Sequence, residues 1–352
     1  MLESMWSEES VTSATPALPI GKIPPALLQR LLALPRHTRP EILLGPKPGE
    51  DAAVVKFCPR PVAIAADPIT FPTPRPGWYA VHVNANDLAV TGAKPAYFTL
   101  TILLPPGSTE EQVVAVMQDA LTAADELEIA LIGGHTEITA AVNMPVVSVT
   151  MFGPLLGDKP VLTGGGKAGD AIIQVNPMAL EGTSVLAGMY RERLEAEISA
   201  ELVSRAASLA VSPGISVIKP AMLALRLFDV HAMHDPTEGG LATGLREMAA
   251  AADLGLDIHA PKMLVRPETL QICNRLKFDP FGLLSSGCLL LVLPEEEAAE
   301  AVSALQKAGY SAARIGFLTA RAGEYRVINK GGDIRELPCF ATDELARPAA
   351  GA

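Results

Sequence analysis

The chain lacks the features that would assign it to a membrane or a nucleic acid. Nowhere in its 352 residues does an apolar run reach the length of a membrane span, which needs about 18 to 20 residues. Basic residues are outnumbered, with 28 lysines and arginines against 39 acidic residues and a net charge of −11. A general grip on nucleic acid needs a basic face. We therefore expect neither nucleic acid nor membrane as a partner.

Cysteine is scarce and scattered along the chain. The four cysteines form no CxxC pair: Cys58, Cys273, Cys288 and Cys339. A disulfide framework or a zinc site is therefore not expected, and reduced thiols favour a cytoplasmic protein. The first residues have neither the basic start nor the apolar centre of a signal peptide. We interpret residues 1–20 as a flexible tail.

Apolar material is plentiful, at 49% of residues against 19% charged. A chain of this length usually forms two domains, because single cores stop growing near ~250–300 residues. Buried strands alternate with helical patterns in both halves, which predicts an α/β fold throughout. In one helical pattern, Ser108 and Glu111 form a capping box at the start. We predict domains over residues 21–157 and 165–340, and a frayed tail over residues 341–352.

One loop, Gly45 to Val55, combines glycine, proline, a lysine and an acidic pair before an apolar run. Gly45 and Gly49 allow backbone N–H groups to approach a ligand closely, and Lys47 adds a positive charge. Asp51 offers a hard oxygen of the kind that Mg²⁺ prefers. The loop could thus hold phosphate and metal together, although an ordinary turn before a strand has the same composition.

Further acidic residues stand at the ends of predicted elements. A buried strand over residues 61–66 ends at Asp67, which could point into a site or could serve as a turn or N-cap residue. Asn86 and Asp87 lie in a helix of small apolar residues, where a buried carboxylate needs a partner or a cation. A water-facing Asp87 would need neither. Asp235 follows a strand in the second domain and precedes a helix.

Two glycine pairs invite a phosphate-binding interpretation. Gly133 and Gly134 follow a predicted strand over residues 129–132 and lead into a polar loop with His135 and Thr136. The run of residues 164–167, Gly-Gly-Gly-Lys, does not form a P-loop, because Val161 and Ala168 replace the first glycine and the metal-binding hydroxyl residue. It is typical of a linker or hairpin turn. If the four aspartates converge, their repulsion requires divalent cations.

The order of these motifs resembles that of the aminoimidazole-ribonucleotide-synthase-like (PurM-like) superfamily. Its members include thiamine-monophosphate kinase, selenophosphate synthetase and the hydrogenase-maturation dehydratase, and the resemblance extends over residues 21–318. The motifs that carry it are Gly-Glu-Asp-Ala-Ala-Val at 49–54, Asp67, Asn86-Asp87-Leu88-Ala89 with Gly92-Ala93, Gly133-Gly134-His135-Thr136, Glu181-Gly182-Thr183, and Asp235 to Leu241.

The resemblance implies a fold and a set of ligands. An N-terminal α/β domain would form a β-barrel with its copy in a homodimer, and a C-terminal α/β domain would complete each chain. ATP would be held with Mg²⁺, and the metal ligands carried over by position are Asp51, Asp67, Asp87 and Asp235. The cofactor-binding residues would be Gly45, Lys47, Gly49, Asp67, Asn86, Gly133, Gly134, His135 and Thr136.

The chain also departs from the family pattern. The hydrogenase-maturation dehydratase, which it most resembles, carries a terminal cysteine that receives the carbamoyl group. Here the last residues contain no cysteine, and we interpret the nearest one, Cys339, as a small buried apolar residue. This puts the cyanide-forming chemistry in doubt. The family usually has an acid at the position of His135, which could contact phosphate or only a loop group, and Glu137 could supply the charge. Cys58 does not match the nucleophile of selenophosphate synthetase.

Three functions remain open on the sequence. The first is an ATP- and Mg²⁺-dependent enzyme that activates an oxygen of a small molecule or a carrier-bound group, as a ligase, dehydratase or phosphotransferase such as thiamine-monophosphate kinase. The second is a non-catalytic nucleotide-binding scaffold in metallocofactor assembly. The third is a structural dimer without a site, which the presence of all four aspartates disfavours.

Overall fold

The computed structural model describes residues 18, 21–22, 25–44, 54–55, 61–340, 342–347 and 349. The chain divides into two compact units, which we call the N-terminal unit (Met1–Leu88 and Ala93–Asp158) and the C-terminal unit (Ala89–Gly92 and Lys159–Ala352). Several predicted site residues lie outside the described residues: Gly45, Lys47, Gly49 and Asp51. Cys58 also lies outside them.

The N-terminal unit contains a mixed five-stranded sheet in the order β1-β6-β5-β7-β4. Strands β5 and β6 are parallel and the other neighbours are antiparallel. A separate antiparallel pair is formed by β2 and β3. The elements are β1 (Gly21–Lys22), α1 (Pro25–Leu32), β2 (Ile42–Leu44), β3 (Val54–Val55), β4 (Val62–Ile69), α2 (Pro76–Val90), β5 (Tyr97–Leu104), α3 (Glu110–Leu127), β6 (Ala130–Ile138) and β7 (Val146–Pro154).

Burial alternates along β5 and β7, as expected for strands that cover a core with one face only. The buried face carries large apolar side chains such as Leu100, Ile102 and Met151, each at most 2% exposed. The opposite face, which we call the open face, carries small polar and apolar residues. Cross-strand pairing places on it Ile64, Ala66, Thr99, Thr101, Ser148, Thr150, Phe152 and His135.

The start of α3 differs by one residue from the predicted capping box. Thr109 is the N-cap, and its hydroxyl accepts a hydrogen bond from the backbone N–H of Gln112. The Gln112 side chain accepts in return from the Thr109 N–H at 2.9 Å. The prediction of Ser108 and Glu111 was therefore wrong in register, because Thr109 and Gln112 satisfy the same rule one position later.

The C-terminal unit is built on a seven-stranded sheet in the order β14-β13-β10-β12-β8-β11-β9. Its strands are β8 (Ala171–Val175), β9 (Ala232–His234), β10 (Gly255–His259), β11 (Leu289–Leu293), β12 (Ala312–Thr319), β13 (Tyr325–Ile328) and β14 (Ile334–Glu336). Its helices are α4 (Leu180–Met189), α5 (Arg191–Glu197), α6 (Ala200–Ala207), α7 (Ile218–Leu227), α8 (Gly240–Ala251), α9 (Pro267–Leu276) and α10 (Ala298–Lys307).

Strand directions bring three loops to one edge of this sheet. Both β8 and β9 pair antiparallel with β11, so they run in the same direction. Their carboxyl ends therefore lie at the same edge as the start of β11. We call this the carboxyl edge, and it is formed by residues 176–181, 235–240 and 282–288. Ligand sites in α/β sheets commonly lie at such an edge.

Within the part of the chain that the structure describes, one run, 210–227, has the length and composition of a membrane-crossing helix, with 33% of it buried. The run is not one continuous helix. A short turn over Ala210–Gly214 is interrupted at Ser212, whose φ of −139° and ψ of 108° are extended. Helix α7 begins only at Ile218 and has 10 residues, which is half the length that a span requires.

Candidate functional site

Asp67 lies within β4, where Asn84 binds its backbone on both sides. The Asp67 N–H donates to Asn84 Oδ1 at 2.7 Å, and Asn84 Nδ2 donates to the Asp67 carbonyl at 2.9 Å. Asn84 also donates to the Ala80 carbonyl at 2.8 Å and is fully buried. The predicted strand end before Asp67 was therefore wrong, since β4 continues to Ile69. Asn84 holds the exposed Asp67 in place at this edge strand.

Asp87 is the second carboxylate of this site. It follows Asn84 by three residues, so both lie on the same face of α2. Asp87 is half-buried, and its pKa is raised to about 7, first by burial and then by the negative charge of Asp67. Two carboxylates in mutual repulsion offer the hard oxygen ligands that Mg²⁺ binds, and a cation would relieve that repulsion. The residues present thus fit a divalent cation.

Asn86 occupies a different position from the one its neighbours suggest. It is fully buried and lies two residues after Asn84, which places it on another face of the helix. The sequence interpretation singled out Asn86 and missed Asn84. The missed signal was the helical spacing of Asn84 and Asp87.

The predicted loop of Gly133 to Thr136 is part of a strand, so that prediction was wrong. Strand β6 extends from Ala130 to Ile138 and pairs with β5 along this run. A Cβ atom on Gly134 would lie only 1.9 Å from the Leu100 carbonyl oxygen. The glycine therefore permits the close pairing of two strands. His135 is exposed, and its Nε2 lies 3.2 Å from Glu137 Oε2.

In the C-terminal unit, hydrogen bonds join the three loops of the carboxyl edge. The Ala179 N–H donates to Ser285 Oγ at 2.8 Å, and the Ser285 N–H donates to the Thr237 carbonyl at 3.2 Å. The Gly182 N–H donates to the Leu284 carbonyl at 3.0 Å. Asp235 lies at this edge and is only 4% exposed. The structure thus confirms a strand-to-helix position for Asp235.

Glu181 is a polar residue at this edge that the sequence interpretation did not assign to the site. It lies in the first turn of α4 and is 1% exposed. Neither carboxyl oxygen has a hydrogen-bond partner among the described residues. The buried Ser286 hydroxyl faces it without a hydrogen bond of normal geometry. Burial raises the pKa of Glu181 to about 7, and the negative charge of Asp343 adds to the effect.

The cysteines divide into inert and accessible thiols. Cys273 and Cys288 are buried, and burial raises the pKa of each thiol to about 12. Cys339 is exposed. The interpretation of Cys339 as a buried apolar residue was therefore wrong. Its neighbours explain the difference: Leu337 is buried, and the chain then turns outward through Pro338.

The structure brings together only part of the predicted metal set. Asp67 and Asp87 share a site in the N-terminal unit, Asp235 lies at the carboxyl edge of the C-terminal unit, and Asp51 is outside the described residues. Among the residues that the structure describes, no group of three or more His, Cys, Asp or Glu side chains could hold a metal ion. A four-aspartate cluster therefore stays a prediction.

Comparison with family models matches both units. The N-terminal domain of AIR synthase related proteins matches residues 49–155, and the C-terminal domain of the same proteins matches residues 167–329. Together the two matches cover most of the chain.

Individual relatives are more distant. The chain is 27% identical over 279 residues to a putative hydrogenase expression/formation protein of Methanocaldococcus jannaschii, covering 77% of this chain and 79% of that one. It is 27% identical over 289 residues to the carbamoyl dehydratase HypE of Rhodobacter capsulatus, covering 80% and 81%. The structure of the hydrogenase maturation protein HypE in complex with ATP superposes with a TM-score of 0.73 at 26% identity, covering 89% of this chain and 94% of that one.

Proposed function

Because the chain belongs to the family of AIR synthase related proteins, we propose that it is an ATP- and Mg²⁺-dependent enzyme. It activates an oxygen atom of a small substrate or a carrier-bound group by phosphorylation. The observation that carries the proposal is the pair of carboxylates Asp67 and Asp87, one fixed by Asn84 and the other with a pKa raised to about 7. The similar HypE structure in complex with ATP supports the choice of nucleotide.

The Asp67–Asp87 pair is suited to hold the metal. Magnesium, when bound, neutralises phosphate charge and orients the transferred group. Asn84 fixes the backbone of Asp67, so this carboxylate is positioned before any ligand arrives. Asp87 on the same helix face supplies the second oxygen donor. We propose Asp51 and Asp235 as further ligands.

The phosphates require a cover of positive charge and backbone N–H groups. We propose that Gly45, Lys47 and Gly49 provide it, because glycine permits close approach and lysine supplies charge. The exposed His135 on β6, with Gly133, Gly134 and Thr136 beside it, would add a polar surface for the nucleotide. Asn86 stays a predicted cofactor-binding residue.

Replacing Asp87 by asparagine tests the metal assignment. Asp87→Asn keeps the size of the side chain and removes the charge that attracts Mg²⁺. We expect ATP affinity in the presence of Mg²⁺, measured by isothermal titration calorimetry, to fall at least about tenfold, which equals about 1.4 kcal/mol. Affinity without Mg²⁺ should change little.

The matched control is Asp125→Asn on the exposed surface of α3, which should bind like the wild type. Unchanged Mg²⁺-dependent binding in Asp87→Asn would remove this residue from the site. Absence of ATP binding in the wild-type protein would contradict the proposal as a whole.

Turnover separates the enzyme from the second candidate, a nucleotide-binding scaffold in metallocofactor assembly. The names of the hydrogenase expression/formation relatives favour that setting for either candidate. The wild-type protein incubated with ATP, Mg²⁺ and candidate acceptors should release ADP or phosphate if it is an enzyme. Tight binding without release for every acceptor tested would favour the scaffold.

We also propose that the protein acts as a homodimer in the cytoplasm. The open face of the N-terminal sheet supports a dimer, since Ile64 on this face is 69% exposed and isolated sheets seldom leave such residues uncovered. The free thiols of Cys273 and Cys288 are compatible with a reducing compartment.

A further inference from the structure

The last described segment, Thr342–Arg347, is bound to two loops of the C-terminal unit. The Asp343 carboxylate accepts a hydrogen bond from the Gly239 N–H at 2.8 Å. The Glu344 carboxylate accepts one from the Asp279 N–H at 2.6 Å. Gly239 belongs to the carboxyl edge, in the same loop as Asp235. The segment therefore fastens that loop to the turn that precedes β11.

Both ends of the segment are anchored. The Glu344 N–H donates to the Gly282 carbonyl at 3.0 Å. The guanidinium of Arg347 pairs with Glu344 and lies 4.5 Å from the centroid of the Phe278 ring. Ala349 beyond it is 4% exposed and belongs to the hydrophobic core. The segment is thus a docked part of the unit, held by charge, backbone bonds and an apolar anchor.

Glu181 lies beneath this contact. Its carboxyl group is buried and has no hydrogen-bond partner among the described residues, and the negative charge of Asp343 acts on it. The Leu284 backbone connects the two, because its N–H bonds to Asp343 and its carbonyl accepts from the Gly182 N–H. An ionised Glu181 would be a second negative charge in a site that excludes water. Such a charge is costly without a counter-ion.

We propose that Thr342–Arg347 is a proton-dependent clasp that stays docked on the carboxyl edge while Glu181 is protonated and opens when Glu181 ionises. Opening releases Gly239 and with it the loop that carries Asp235. The clasp would thus control access to the carboxyl edge. This device does not depend on whether the protein uses ATP.

The charged groups around Glu181 and Asp343 give no compensation. The Asp343 pKa is raised, chiefly by burial and further by the charge of Glu238. Other charged groups nearby are already paired. These pairs are Glu344 with Arg347, Glu268 with Arg205 and Arg266, and His234 with Glu247.

The direction of the pH dependence follows from linkage. The pKa of Glu181 is raised to about 7 when the clasp is closed, and it would return to about 4.3 in water when the clasp is open. The closed state therefore binds the proton more tightly. Closure is fully supported below about pH 4.3 and loses support as the pH rises to about 7. Above about 7 the effect levels off, since both states are then ionised.

Hydrogen–deuterium exchange of the full-length protein tests the clasp. Protection is measured for the peptides that contain Gly239 and Leu345, from about pH 5 to about pH 8, with rates corrected for the intrinsic effect of pH on exchange. In the wild type we expect protection to fall by up to about tenfold per pH unit up to about pH 7, and then to level off. In Glu181→Gln the protection should be high and independent of pH.

The control variant is Glu192→Gln on the exposed surface of α5, which should keep the wild-type slope. A second variant, Asp343→Asn, should move the plateau to lower pH, because removing its charge makes Glu181 easier to ionise. Equal slopes in the wild type and Glu181→Gln would overturn the proposal. If Glu181→Gln proves unfolded by circular dichroism, an unmoved plateau in Asp343→Asn overturns it equally.

Discussion

Among the single residues of the N-terminal unit, His82 is the one whose charge depends most clearly on burial. It is 4% exposed, and its Nε2 lies 3.1 Å from Glu126 Oε2. The Trp78 indole donates to the same oxygen at 3.2 Å. His82 Nδ1 has no partner among the described residues. Burial lowers the pKa of His82 and outweighs the opposing attraction of Glu126.

This shift predicts a loss of stability in mild acid. The folded state disfavours the protonated imidazole, so the neutral form contributes stability above the unfolded pKa of about 6.5. That contribution decreases as the pH falls from about 6.5 towards the lower folded pKa, by at most about 1.4 kcal/mol per pH unit. We expect His82→Gln to lose less stability than the wild type between about pH 7 and pH 5. Urea unfolding followed by far-UV circular dichroism measures the difference.

His135→Gln provides the comparison, because this histidine is exposed and its side chain is 42% accessible. It should keep the wild-type pH dependence. A wild-type slope in His82→Gln would mean that other groups cause the acid sensitivity.

At the residue scale, the sequence revealed residue types better than environments. Asp67 and Asp87 were identified from their positions at element ends and within a small-residue helix, and the structure brings them together. Asn84 was missed because its role depends on contact with a strand 17 residues earlier. Glu181 was not assigned to a site because complete burial of a carboxyl group leaves no mark in the local sequence. Cys339 was misjudged for the same reason.

Strand β6 is the element in which local and tertiary preferences conflict most. Two adjacent glycines followed by polar residues favour a loop by local rules. Pairing with β5 overrides them, because eight residues of each strand are in register around a single shift. The alternation of buried residues in β5 and β7 was readable in the sequence, whereas the partner of β6 was not.

The two glycines of β6 should respond differently to the same substitution. In Gly134→Ala the new Cβ would lie 1.9 Å from the Leu100 carbonyl oxygen, so the backbone of β5 must move. In Gly133→Ala the nearest atom is Thr99 Cγ2 at 3.9 Å, an ordinary contact. We expect Gly134→Ala to lower the free energy of unfolding by about 2 to 3 kcal/mol and Gly133→Ala to change it by less than about 0.5 kcal/mol.

Chemical denaturation of the two variants beside the wild type measures this contrast. Equal stabilities for Gly133→Ala and Gly134→Ala would show that the β5–β6 pairing is looser than the structure indicates. A loss in both variants would point instead to a need for backbone freedom at each glycine.

At the scale of the whole molecule, the alternation of strands and helices was sufficient to predict α/β architecture in both halves. The order of the seven strands in the C-terminal sheet was not predictable, since neighbours such as β8 and β11 are more than 100 residues apart. The carboxyl edge emerges only from that order. Asp235 was therefore recognisable as a strand-end acid, but its proximity to the loops of residues 176–181 and 282–288 was not.

The proposed homodimer is a property of the whole molecule, and the open face of the N-terminal sheet makes it testable. Ile64 is 69% exposed there and pairs across the strands with Phe152. A carboxylate at this position would be buried without a partner if two such faces meet, which costs several kcal/mol. We expect Ile64→Glu to weaken self-association at least about tenfold, measured by sedimentation velocity over a range of concentrations. Val211→Glu, at a residue 61% exposed in the C-terminal unit, should associate like the wild type. A wild-type protein that sediments as a single chain at every concentration would contradict the dimer, and equal weakening by both variants would contradict the assignment of the open face.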